Sequence, residues 1–203
     1  MKLYDGGRAP NPRRVRVFLA EKGISVPLEQ VDIARREHQS AAFTALNPLQ
    51  RIPSLVLDDG TVISESIAIC RYFEALQPEP ALFGRDPVEA GLVEMWQRRL
   101  EFELLMGVAA VFRHTHPAMA ELEVPQVPEW AEANRPRVQR FLALLDQHLE
   151  GRTFILGDYF SVADITGLIA IDFMRLPKIA VPEELANVRA WHARLAARPS
   201  AAA

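Results

Sequence analysis

Between residues 77 and 87 the chain reads QPEPALFGRDP, three prolines and one glycine in eleven residues. Proline lacks an N–H and locks its own φ, so neither a helix nor a strand runs easily through such a segment. The pattern differs on its two sides. Before it, short β-rich runs alternate with helical spacing; after it, the spacing is helical almost throughout. A chain of 203 residues is long enough for two small domains. The break predicts an α/β domain over 1–78, a linker over 79–86 and an all-α domain over 87–203.

Composition narrows the function classes. Apolar residues make up 49% and charged residues 24%, which suits two packed cores and not a disordered chain. Twenty-three basic against 26 acidic residues give a net charge of -3. Nucleic-acid binders draw most of their affinity from neutralising phosphates and carry a basic surplus, so no nucleic-acid partner is expected. No run of eighteen apolar residues occurs, so no membrane span is expected. The opening MKLYDGG lacks the apolar core of a signal peptide, and Cys70 is the single cysteine. These features point to a cytoplasmic protein without disulfides.

The first domain reads as strand, helix, strand, helix, hairpin, helix. Residues 2–4 form a strand. Asn11 followed by Pro12 predicts a helix start, with Asn as N-cap and Pro as first helical residue; Gly23 after Lys22 predicts its end. Residues 26–33 read as a strand and 40–45 as a short helix. Asp59-Gly60 between two apolar runs predicts a hairpin, and 64–76 a closing helix. A strand–helix–strand opening implies a parallel pair. The second domain carries helices over 88–114, 130–149, 161–175 and 183–197. Ser161 and Asp164 form a capping box with Asp in place of the usual Glu. The helix behind them is apolar on most sides, so it belongs at the centre of the helical domain.

Three runs together carry a family resemblance: NPLQRIPSL at 47–55, SESIAICRYF at 64–73 after the Asp-Gly hairpin, and FILGDYFSVADI at 154–165. They resemble the cytosolic glutathione S-transferases, with features nearest to theta- and zeta-like members. The resemblance implies a thioredoxin-like N-terminal domain that binds glutathione, an all-helical C-terminal domain, and a homodimer. It also implies the reaction: the protein stabilises the thiolate of glutathione, its cosubstrate, which then attacks a small hydrophobic electrophile. Isomerisation, dehalogenation and peroxide reduction are variants of that chemistry. A non-catalytic or regulatory glutathione-binding protein of the same fold is the rival reading.

The resemblance assigns residues one by one. It implies a cis bond between Ile52 and Pro53, which leaves the Ile52 main chain facing outward to pair with the extended tripeptide as an added strand would. Ser66 at the helix start would hold the γ-glutamyl carboxylate, and Glu65 the adjacent ammonium. His38, Gln39 and Arg51 would meet the glycyl carboxylate, Arg51 by its planar fork. The thiol-activating residue departs from the family pattern, since no Ser, Cys or Tyr occurs between Asp5 and Arg16. A free thiol titrates near about 8.5, so thiolate must be stabilised to act at neutral pH. Asn11 can donate its amide to the sulfur, and it serves equally well as a plain N-cap. Glu103, Met106, Phe112 and His114 are the candidates for the electrophile pocket.

Other features are expected to be structural. Tyr4 reads as a strand residue packing inward, and Cys70 as buried and inert. Arg13, Arg14 and Arg16 read as the solvated face of one helix. His114 and His116 lack the further ligands that a metal site needs, so no metal is expected.

Overall fold

The computed structural model describes residues 1–203 as two compact units, 1–82 with 199–203, and 83–198. The last five residues therefore belong to the first unit.

The first unit contains β1 (Lys2–Asp5), α1 (Pro10–Lys22), β2 (Leu28–Gln30), α2 (Ala41–Leu46), β3 (Ser54–Val56), β4 (Val62–Ser64) and α3 (Ser66–Leu76). The sheet order is β2-β1-β3-β4, with β1 and β2 parallel and the other pairs antiparallel. This is the thioredoxin-like arrangement. Side chains alternate along β1: Leu3 is fully buried, while the Tyr4 ring on the other face meets Phe43 of α2 edge-on at 5.8 Å. The expected strand over 26–33 shortens to three exposed residues, because as an edge strand it has only the short β1 to pair with. Val15, Phe18, Leu55 and Ile69, each fully buried, form the core with α1 and α3 in contact.

Helix α1 ends as expected. Gly23 adopts φ 66°, and Ile24 donates back to the Leu19 carbonyl at 2.9 Å, a Schellman closure. Its start differs from expectation. Pro10, not Pro12, takes the first helical position, so Ala9 becomes the N-cap and Asn11 falls inside the first turn. Proline is as well suited to this position at 10 as at 12, and two such signals two residues apart are settled by the surrounding packing.

The proline-rich segment is not a slack linker over its first half. The buried Lys22 ammonium donates to the carbonyls of Gln77 (2.8 Å), Pro78 (3.0 Å) and Pro80 (2.6 Å). Leu82 then donates to Glu74 at 2.8 Å.

The second unit contains α4 (Pro87–Arg99), a π-helical stretch (Leu100–Leu105), α5 (Met106–Thr115), α6 (Pro128–Leu149), α7 (Val162–Phe173) and α8 (Ala186–Ala196). The helix expected over 88–114 thus carries a π-helical insertion. Helix α7 is buried at every position from Val162 to Ile171 and contacts α4, the π stretch and α8. The capping box is present. Gly167 leaves room for Trp191, since a Cβ there would lie 2.2 Å from the indole; the indole N–H reaches Asp164 at 2.9 Å. No helix is long and apolar enough to cross a membrane.

Candidate functional site

The candidate residues of the first unit lie on the start of α1, the short 3-10 turn Glu37–Gln39, and the run from Arg51 to Ser66. The peptide bond between Ile52 and Pro53 is cis. Buried Asn47 braces the turn before it: its amide donates to the Arg51 carbonyl at 2.8 Å, and its carbonyl accepts from the Leu49 N–H at 3.1 Å. Gly6 approaches from the other side. A Cβ at Gly6 would lie 1.9 Å from the terminal methyl of Ile52, so a larger residue there would require the Ile52 side chain to move. The N–H and C=O of Ile52 make no main-chain hydrogen bond within the chain, which leaves a peptide edge of the kind that accepts an added strand.

Strand pairing brings the next pair of residues alongside. Ser54 pairs with Ser64 in the antiparallel ladder, so Pro53 and Glu65 are the next residues outward from that pair. Glu65 sits at φ 68° and ψ 117°, a conformation that a residue with a Cβ rarely holds and that costs on the order of 1–3 kcal/mol. Its side chain is exposed and caps nothing. Ser66 follows as the first residue of α3 and is 4% exposed. The first turn of a helix offers free N–H groups and the positive end of the dipole. An exposed carboxylate beside a buried hydroxyl and a helix N-terminus sets an acceptor of positive charge next to donors suited to a negative one.

Arg14 is the largest departure from expectation. It is 2% exposed and donates to Ser66 Oγ from Nε at 3.2 Å and from Nη2 at 2.7 Å. Nη2 also donates to Asn11 Oδ1 at 2.9 Å. Its neighbours are no solvated face either. Arg16 forms an ion pair with buried Asp5 and donates to the Gly7 carbonyl at 2.8 Å; Arg13 donates to the Ala201 carbonyl at 2.8 Å. A signal was available in the sequence, since Arg14 lies four residues before the core residue Phe18 and so shares its helix face. Charge alone concealed it.

His38 is buried, and its Nδ1 has no hydrogen-bond partner. Burial first, then the Arg51 and Arg36 guanidinium groups, hold the ring below its ordinary pKa and favour the neutral form. Gln39 and Arg51 are exposed. The structure thus joins Asn11, Arg14 and Ser66 in one hydrogen-bonded chain and places His38 in the field of Arg51. The Cys70 thiol is fully buried, and burial pushes it up to about 12, so it is inert as a nucleophile.

The four candidates of the second unit lie in different surroundings. Glu103 lies 3.7 Å from Arg137, on a cavity of about 450 Å³ that Arg99, Arg140, Phe141 and Leu144 also line. Met106 is 56% exposed. The Phe112 ring packs against His116 and Phe173 at 4.8 and 5.2 Å. His114 accepts from the Val127 N–H at 3.0 Å.

Two family models match the chain: the glutathione S-transferase N-terminal domain over 9–76 and the glutathione S-transferase C-terminal domain over 105–199. Glutathione S-transferase 2 of Saccharomyces cerevisiae is 39% identical over 98% of this chain and 87% of its own length. The crystal structure of a glutathione S-transferase domain-containing protein from Marinobacter aquaeolei is also 39% identical. It superimposes with a TM-score of 0.95, covering 98% of this chain and 99% of that one. A maleylacetoacetate isomerase of Pseudomonas aeruginosa is 41% identical over 43% of this chain and 42% of its own length.

Proposed function

The chain belongs to the glutathione S-transferase family, and from that premise we propose that it binds glutathione in its first unit and promotes attack of the thiolate on a hydrophobic electrophile. The Ile52 main chain pairs with the cysteinyl peptide next to Pro53. Ser66 and the α3 N-terminus take the γ-glutamyl carboxylate, and Glu65 takes the ammonium. His38, Gln39 and Arg51 take the glycyl carboxylate. Asn11, whose amide oxygen is already held by Arg14, turns its N–H₂ donor to the sulfur. The sulfur gives its proton to solvent water and forms a bond to the electrophilic carbon; in a substitution the leaving group departs with the electron pair of the broken bond, and in an addition to an enal the pair of the C=C bond takes up a proton. What the chain contributes is thiolate stabilisation and proximity. Exposed Glu103 and Met106 meet the electrophile, with Phe112 and His114 as anchored wall residues. In this reading the working protein is a homodimer.

The observation that carries this reading is the start of α3, where a strained, exposed Glu65 stands beside a buried Ser66 hydroxyl. Calorimetric titration with glutathione tests it, followed by conjugation assays on a panel of aryl halides, enals and organic peroxides. Binding at micromolar to millimolar glutathione together with turnover is the expected result; no binding at 10 mM, on the order of the weakest useful affinity, would overturn it. A second reading, a glutathione-binding protein without transferase activity, is favoured by one feature: Ala9 stands where relatives of the serine type carry a hydroxyl, and Asn11 where those of the cysteine type carry a thiol. Binding without turnover on the panel, unchanged by Asn11→Ala, selects that reading.

A further inference from the structure

We propose that Arg14 is the positioning residue of the site, setting the direction in which both Asn11 and Ser66 donate. The inference rests on the glutathione reading above. A guanidinium carries five N–H donors and no acceptor, so any group bonded to it must turn an acceptor inward. Asn11 does so with Oδ1 at 2.9 Å, and Ser66 with Oγ at 3.2 and 2.7 Å. Each side chain has a donor left over: the Asn11 N–H₂ and the Ser66 O–H. An asparagine amide can flip end for end and a serine hydroxyl rotates freely; beside Arg14 neither ambiguity survives. One buried cation thus points two donors at the two anionic parts of the ligand, the thiolate and the γ-glutamyl carboxylate. Because Arg14 is 2% exposed, its fork is held by packing and does not compete as a direct ligand. Its charge adds a favourable field for both anions, and low exposure limits screening of that field.

The planar fork is what this role requires, and lysine, a point charge on a flexible stem, cannot supply it. The test is a mutant cycle on the full chain with Arg14→Lys, Ser66→Ala and the double variant. Glutathione affinity is read by calorimetry, and the pKa of the bound thiol by the ultraviolet absorbance of the thiolate. Arg14→Lys is expected to weaken glutathione binding about 10-fold or more and to raise the pKa of the bound thiol; Ser66→Ala should weaken binding without moving that pKa. Combined, the two substitutions should weaken binding no more than about threefold beyond Ser66→Ala alone, because residues acting through one another are not additive. Fully multiplicative losses, or an unmoved thiol pKa in Arg14→Lys, overturn the proposal.

A crystal of the unmodified protein with glutathione provides an arm that does not depend on the variants folding. It should show Arg14 still bonded to Asn11 and Ser66, with Ser66 Oγ within hydrogen-bond reach of the carboxylate. A direct bond from Arg14 to glutathione would overturn the positioning role while leaving the glutathione reading intact. Absence of binding by the unmodified protein overturns both.

Discussion

Helices α3 and α7 both begin at a serine accompanied by an acidic residue, and the two starts are built in opposite ways. At α7, Asp164 is fully buried and every nearby donor is used. It accepts from the main chain of Ser161 and Ile155 at 3.0 and 2.9 Å, from the Ser161 hydroxyl at 3.2 Å and from the Trp191 indole at 2.9 Å. At α3, Glu65 is exposed, caps nothing and holds a strained φ. A helix start that satisfies itself contributes to stability and has nothing left to offer a ligand. One left unsatisfied costs stability and keeps its donors and its charge for an incoming group.

Four substitutions or titrations sharpen that contrast. The largest effect belongs to Asp164→Ala, which removes the acceptor of four buried hydrogen bonds. Urea unfolding should show a loss of about 3–5 kcal/mol, with the glutathione affinity of the folded fraction unchanged. A comparable loss of affinity would erase the distinction between the two starts.

Next comes the pH dependence of the same residue. Burial raises its carboxyl from 3.8 to about 6. The folded state therefore holds the proton more tightly than the unfolded state. The stability tied to this group is fully present below about pH 4 and is lost as pH rises through 6, on the order of 3 kcal/mol in all. Measured as the difference between the native protein and Asp164→Asn, stability should decline over that window. A flat difference would mean that its four hydrogen bonds offset burial completely.

Glu65→Ala should act the other way round from Asp164→Ala. Removing a charge-assisted contact to the ligand weakens glutathione binding about 10- to 100-fold, while thermal unfolding moves little because the side chain supports no neighbour. If the melting temperature collapses instead, Glu65 is structural.

The smallest effect is also the most diagnostic. Glu65→Gly relieves the positive φ and should raise unfolding stability by about 1 kcal/mol even as it weakens glutathione binding. A loss of stability would show that the strain is not where the backbone geometry places it.

Much of this could be read along the chain. The Asp-Gly hairpin, the Gly23 helix stop and the Ser161–Asp164 box are local devices, each decided by a few adjacent residues, and all three are present. The two-part fold followed from a change of periodicity across the proline-rich segment. Less legible were features in which one local signal competes with another. Pro10 and Pro12 both invite a helix start, and the helix takes Pro10. The π-helical insertion at Leu100–Leu105 leaves no mark in an apolar pattern of ordinary helical spacing. Nothing local marks Lys22, which collects three carbonyls of the segment that composition presents as slack.

By itself, then, the sequence determined the change from mixed to helical structure, the element order and the family, because periodicity, turn chemistry and contiguous motifs act over short distances along the chain; the cis bond at Ile52–Pro53 was implied by the family resemblance and is present. Tertiary structure alone decided that Arg14 lies buried between Asn11 and Ser66, that His38 has an unmet nitrogen, and that Glu65 stands next to Pro53 across the β3–β4 pair. Those facts depend on residues up to 52 positions apart meeting in space. Whether a charge is solvated or buried is settled by what packs over it, which no local pattern encodes.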